Sequence, residues 1–323
     1  MYERYYNFTG SPFQLTPDTR FFYGSRGHSR AIAHLTFGLA QGEGFIIVTG
    51  EVGAGKTTLI ERLLSQLDRD TYAVAGVNTT QVSGDDLFRL ALAGFGVDTA
   101  AEASKSMLLR RFEDTLRDHR LAGRRCLLIV DEVQNLTLAG LEELRMLSNL
   151  TEGGRASLQT ILMGQPQFRR MLASPDLDQL RQRVLASYHL GPLSGDETRA
   201  YIEHRLTTVG WHGNPHWEEP AFAAVHEHTG GIPRRINRLC GRVLLFGALE
   251  AAGTISAAMV RHTAEELAGD LQGADPQGAP AAAPEARAPA DLQARVSTLE
   301  AQVARQQRVF QRLMDVLGGT GEP

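Results

Sequence analysis

The stretch that most constrains what this chain can fold into is GEVGAGKTT, Gly50 to Thr58, which follows the apolar run Phe45-Ile46-Ile47-Val48 with no turn residue between. Gly50, four intervening residues, and then Gly55, Lys56 and Thr57 meet the spacing of a phosphate-binding loop that joins a strand to a helix. Bare glycines let such a loop wrap an anion with backbone N–H groups, and the helix that follows adds the positive end of its dipole at the same point. Lys56 then reaches the β- and γ-phosphates, and the Thr57 hydroxyl sits on Mg²⁺. Leu59, Ile60, Leu63 and Leu64 recur at helical spacing and hold the helix against a sheet. The candidate nucleotide-binding residues are therefore Gly50, Glu51, Val52, Gly53, Ala54, Gly55, Lys56, Thr57 and Thr58.

A loop of this kind needs a parallel sheet behind it, and the chain supplies one. From Phe45 to about Leu190 the apolar runs FIIVTG, TYAVAGV, CLLIVDE, SLQTILMG and VLASYHL alternate with amphipathic helices. This alternation predicts an α/β domain over residues 45–190, with helices on both faces of a parallel sheet, preceded by a leading segment, 1–44. From Ser194 the pattern becomes helical throughout, which predicts a small all-α lid domain over 191–272. Residues 273–290, GADPQGAPAAAPEARAPA, lack large apolar side chains and are rich in Pro, so they read as a linker spanning roughly 25–55 Å. Beyond it Leu292, Val296, Leu299, Val303, Gln306, Phe310, Leu313 and Leu317 fall at alternating spacings of four and three, the seam of a coiled coil over 291–317.

The second chemical signal is CLLIVDE, in which an apolar strand runs straight into Asp131 and Glu132. Two carboxylates at a buried strand end are costly unless a metal ion or polar cleft lies there. In nucleotide-binding sheets the Asp orders the Mg²⁺ water shell, and the Glu polarises the water that attacks the γ-phosphate. The competing reading makes Asp131 or Asn135 the N-cap of the helix that carries Leu141, Leu144 and Leu147. A third strand, SLQTILMGQP, ends at Gln165, whose amide can orient the attacking water. Charge that spreads over a transferring phosphoryl group needs fixed cations, and Arg181, Arg183 and Arg234 are placed to supply them.

Taken together, the Gly50–Thr57 loop, Leu127–Glu132, Gly164-Gln165-Pro166, Gln182-Arg183 and Gly231-Ile232-Pro233-Arg234 resemble an AAA+ ATPase. More narrowly, YYNFTGSPFQLTPD, GEVGAGKTTL, DEVQNL, GQPQF and GGIPRRIN are similar to the ExeA, or general secretion pathway A, type. Relatives of that type also accompany exosortase and PEP-CTERM sorting in exopolysaccharide gene clusters. The resemblance covers Met1 to about Leu271. It implies ATP and Mg²⁺ as ligands, with Thr57 and Asp131 toward the metal, and ATP hydrolysis that drives secretion or surface assembly. It also implies Arg183 as an arginine finger acting on a neighbouring subunit's nucleotide in a homo-oligomeric ring, Arg234 as the sensor-2 arginine, and Gln165 at the sensor-1 position. The alternative relatives are DNA-transposition regulators of the TniB or TnsC kind, which form ATP-dependent filaments on DNA.

Bulk properties set bounds on these readings. The chain has 323 residues, 42% of them apolar, enough for a core domain and smaller units. Its net charge of −4 argues against a DNA partner held by overall positive charge, and basic pairs such as Arg110-Arg111 and Arg169-Arg170 read as solvated helix faces. Cys126 and Cys240 read as buried thiols in a reducing compartment. His204, His212, His216, His226 and His228 match no zinc spacing. The opening MYERYYNFTGSPFQL lacks a leader's basic and apolar regions, and nowhere do eighteen apolar residues run together. The expectation is a cytoplasmic protein that meets an inner-membrane secretion or polysaccharide-export component through its coiled coil.

Overall fold

The computed structural model describes residues 2–16, 18–79, 84–99 and 104–272. The predicted linker and coiled coil lie outside the described residues. The described residues fall into two compact units: a larger one, Gln14–Thr208 with Thr229–Asn237, and a smaller one, residues 2–13 with Val209–His228 and residues 238–272.

In chain order, α1 (Tyr2–Tyr5) and α2 (Arg26–Gln41) precede β1 (Phe45–Gly50) and α3 (Lys56–Leu64). Next come β2 (Tyr72–Asn78), α4 (Gly84–Gly94), α5 (Lys105–Leu121), β3 (Arg125–Asp131) and α6 (Leu138–Leu147). A two-residue hairpin, β4 (Thr151–Glu152) and β5 (Arg155–Ala156), leads into β6 (Leu158–Gly164), followed by α7 (Pro166–Leu172), α8 (Asp178–Arg181) and β7 (Val184–Leu190). The remainder is α9 (Gly195–Thr208), β8 (His216–Trp217), α10 (Glu219–Thr229), α11 (Pro233–Leu249), β9 (Thr254–Ile255) and α12 (Ala257–Gln272).

The five long strands form one parallel sheet in the order β2-β3-β6-β1-β7. β1 and β6 are buried along their whole length, as strands covered on both faces must be, so their apolar residues do not alternate; Gln159 of β6 is buried with its Nε2 donating to the Gly38 carbonyl at 2.6 Å. One face carries Ile46, Val48, Ile129 and Ile161 under α2 and α3; the other carries Phe45, Ile47, Leu128 and Leu162 under α4, α5 and α6. On α3, Leu59, Ile60 and Leu63 are buried and Leu64 packs partly beneath them, as the helical spacing predicts. Each such side chain contributes about 1.5–3 kcal/mol on burial, which fixes α3 and with it the loop at its N-terminus.

Because β3, β6 and β1 are neighbours, their carboxyl ends bring Asp131, Gly164 and Gly50 side by side. A crevice at the carboxyl ends of the strands is where a sheet of this construction receives ligands. Arg183 lies at the other end: its carbonyl accepts from the Phe45 amide, the first residue of β1.

α6 is capped by Thr137, whose side chain accepts the Gly140 amide at 3.2 Å. The alternative of a cap at Asp131 or Asn135 is thereby corrected. A 3-10 turn, Val133–Asn135, separates the acidic pair from the helix, so neither residue is positioned to cap it. In the smaller unit, β8 and β9 pair in parallel, Trp217 stacks on Phe222 at 5.5 Å, and the Tyr6 hydroxyl donates to the Ala252 carbonyl at 3.1 Å.

Candidate active site

The loop from Gly50 to Gly55 turns on two residues with left-handed backbone, Gly53 at φ 81° and Gly55 at φ 99°. A Cβ on Gly53 would lie 2.3 Å from the Arg234 Cβ, so only glycine allows the loop to pass the first turn of α11. The Arg234 amide donates to the Gly53 carbonyl at 3.2 Å. Gly55 occupies the N-cap of α3 without a side-chain hydrogen bond, which leaves the first N–H groups of that helix aimed outward for an anion.

Lys56 is buried, and its Nζ donates to the Gly50 carbonyl at 2.8 Å and the Glu51 carbonyl at 3.2 Å. Burial pushes the ammonium below the usual lysine range, against the attraction of Glu132, Asp131 and Glu51. Both acceptors are neutral. A phosphate oxygen, being charged, would make a stronger bond with this ammonium than either carbonyl does.

The acidic pair is held in two different ways. Burial raises the Asp131 carboxyl, helped by the neighbouring Glu132, while bonds from the Glu132 amide at 2.8 Å and from Thr57 and the charge of Lys56 oppose the rise. Glu132 adopts φ 53°, ψ 40°, a left-handed conformation that costs a non-glycine residue about 1–2 kcal/mol. Thr79, fully buried just beyond β2, pins that backbone: its hydroxyl donates to the carbonyls of Asp131 at 2.8 Å and Glu132 at 2.7 Å. Burial pushes the Glu132 carboxyl up, but hydrogen bonds from Gln134 and Gln165 and the charge of Lys56 outweigh it and hold the group below the usual glutamate range. Gln165 Nε2 donates to Glu132 Oε2 at 3.0 Å.

These groups open on a cleft of about 380 Å³ lined by Val52, Gly53, Gly55, Lys56, Thr57, Thr58, Glu132 and Arg234. Gly50, Glu51 and Ala54 shape the loop behind it, Asp131 reaches it through Thr57, and Gln165 reaches it through Glu132. Arg183 is not brought to this cleft. Its guanidinium donates to the Ser148 carbonyl at 3.0 Å, beyond the C-terminus of α6.

The sequence reading missed several lining groups. The segment Gln14–Tyr23 contributes Leu15, Phe21, Phe22 and Tyr23, and His28 on α2 stands beside Gly55 with its Nδ1 2.7 Å from the Ser25 hydroxyl. Arg205, buried on α9, lies 4.5 Å from the Phe21 ring centre and donates to the Tyr201 hydroxyl at 2.8 Å, which in turn donates to Asn237 Oδ1 at 2.9 Å. No local spacing announces these residues. Gln134 was open to detection, since it lies three residues beyond Asp131 at the end of β3, within the motif that carries the acidic pair. Among the described residues no cluster of His, Cys, Asp and Glu could hold a metal unaided.

Comparison with known proteins agrees with this geometry. Residues 39–172 match the family model described as an AAA domain. Over 273 residues the chain is 37% identical to general secretion pathway protein A of Aeromonas hydrophila, a match that takes in 83% of this chain and 49% of that protein. The chain thus spans about half the length of the curated relative it matches. Among solved structures it is similar to the Aeropyrum pernix ORC2 protein, at 17% identity and a TM-score of 0.61 over 79% of this chain and 71% of that one. It is also similar to Cdc6p of Pyrobaculum aerophilum, at 15% identity and a TM-score of 0.62 over 78% and 71%. The RuvB branch migration motor of Thermotoga maritima gives 19% and 0.52 over 76% and 70%. Likeness at these identities shows the fold alone. The fold, the phosphate loop and the curated relative converge: the chain has the AAA fold, with residues 39–172 matched to the AAA domain, and its sequence is similar to about half of general secretion pathway protein A.

Proposed function

We propose that the chain hydrolyses ATP with Mg²⁺ and uses the cycle to do conformational work in secretion or in exopolysaccharide and surface assembly. The observation that carries this reading is the convergence on one cleft of a helix N-terminus, the Lys56 ammonium, the Glu132 carboxylate and Arg234. The Thr57 hydroxyl and the Asp131 carboxylate meet at the mouth of α3 as hard oxygen ligands, a donor set that fits Mg²⁺ bound together with substrate phosphates. When bound, the ion neutralises charge on the phosphate oxygens.

In this reading the loop amides and Lys56 grip the phosphates. Glu132 accepts a proton from the water that attacks the γ-phosphorus, the bond to the ADP oxygen breaks, and phosphate departs. Arg234, tied to the phosphate loop through its backbone amide, carries the nucleotide state into the first turn of α11. Gln165 holds the Glu132 carboxylate. Arg183, away from its own cleft, serves the nucleotide of a second copy, which makes the working form a homo-oligomer. Residues 291–317 supply the link to a protein partner. Among the described residues no helix is long and apolar enough to cross a membrane.

Phosphate-release and nucleotide-titration assays test the chemistry. Lys56→Ala loses ATP binding, whereas Glu132→Gln keeps binding and loses turnover by roughly 10²–10⁴-fold. Parental turnover by Glu132→Gln overturns the assignment of the base. In cells, a strain carrying Glu132→Gln loses export of protein or polysaccharide; unchanged export of both overturns the pathway.

A further inference from the structure

Two amides share one oxygen of Glu132. Gln134 Nε2 and Gln165 Nε2 both donate to Oε2, and the Gln134 Oε1 in turn accepts the backbone N–H of Gln165 at 2.9 Å. This closes a three-membered circuit between the ends of β3 and β6. The circuit also settles the orientation of the Gln134 amide. Turned over, it would set a carbonyl oxygen against a carboxylate and an NH₂ against an N–H, two repulsions in place of two bonds. Space for it comes from Gly164, where a Cβ would lie 2.9 Å from Val133 Cγ1 and 3.1 Å from Gln134 Oε1.

With Oε2 saturated, Oε1 is the oxygen left to accept from a water in the cleft. We propose that Gln134 is a positioning residue that fixes which oxygen of Glu132 serves as the base and ties that choice to the end of β6. The proposal rests on the reading of Glu132 as the base. Gln134 does not line the cleft, so its contribution falls on turnover and not on nucleotide affinity. Strand β6 lies between β3 and β1, so a shift of its carboxyl end moves Gln165, then Gln134, then the carboxylate.

The test compares Gln134→Ala, Gln134→Glu and the double variant Gln134→Glu/Glu132→Gln in the full chain, measuring kcat, KM and nucleotide affinity. Gln134→Ala lowers kcat about tenfold, a part of what a general base supplies. Gln134→Glu, nearly isosteric, keeps the acceptor for the Gln165 amide but sets a like charge against Glu132, so kcat falls further, about a hundredfold, with affinity unchanged. In the Glu132→Gln background the second change adds no loss. A purely structural residue would show the reverse order, with the isostere milder than alanine. Should Gln134→Glu not fold, Gln134→Met carries the test, with the same kcat loss as alanine at unchanged affinity. Parental kcat in the Gln134 variants while Glu132→Gln is inactive overturns this proposal alone. Parental turnover by Glu132→Gln overturns the base and this proposal with it.

Discussion

Glu132 is a residue whose backbone is held where its side chain alone would not keep it. The left-handed conformation persists because Thr79 spends both its hydroxyl and its amide on the two carbonyls that flank the bend. Thr79→Val preserves shape and removes the hydroxyl. Each carbonyl keeps one donor, the Thr79 amide for Asp131 and the Asn135 amide for Glu132, so neither is orphaned. The expected cost is about 1–2 kcal/mol of stability by chemical denaturation, together with a fall in kcat as the carboxylate loses its fixed seat. Unchanged kcat and unchanged midpoint would show that the turn Val133–Asn135 holds Glu132 unaided. Residues of this kind are hard to read in advance. TYAVAGVNT announces a strand and its end, but the bond from Thr79 across to β3 belongs to pairing between strands that the sequence does not specify.

At the level of elements, legibility follows burial. The five long strands were readable from their apolar content: the inner strands β3, β6 and β1 are buried on both faces, the edge strands β2 and β7 keep an alternating buried face, and each run became a strand. β4, β5, β8 and β9, two residues apiece, carry no periodicity and were not read. α3 was readable from its apolar stripe, yet the entry of Gln14–Tyr23 into the cleft was not, since it depends on α2 leading the chain back past the loop. The competing reading of a cap at Asp131 or Asn135 had a local basis. Asp131 and Asn135 are good capping types, but the 3-10 turn after Glu132 displaces the helix start to Thr137. Thr137→Ala therefore lowers stability by about 1 kcal/mol, while Asn135→Ala leaves α6 intact. Thermal or denaturant melts of the two variants distinguish these caps; equal losses would remove Thr137 from that role.

For the molecule as a whole, the separation of Arg183 from the cleft matters most. The seven residues of β7 set the two ends of the sheet roughly 20 Å apart, so a single copy cannot bring its own Arg183 to its own phosphates without dismantling the strand. Arg183→Ala is expected to bind ATP normally, to lose about 10³-fold or more in turnover, and to regain part of it when mixed with Lys56→Ala, whose Arg183 is intact. Turnover independent of protein concentration, with no recovery in the mixture, would mean that each chain works alone.

If Arg183 serves a second copy's nucleotide, as proposed, that separation would also set a stoichiometry. In an open row of n copies joined end to end, one terminal cleft lacks a donated guanidinium and the opposite terminal guanidinium has no phosphate to meet. Only n − 1 of the n bound nucleotides can then be cleaved. Activity per chain climbs with protein concentration toward a plateau, and the terminal copy acts as a timer that holds its ATP until another copy arrives.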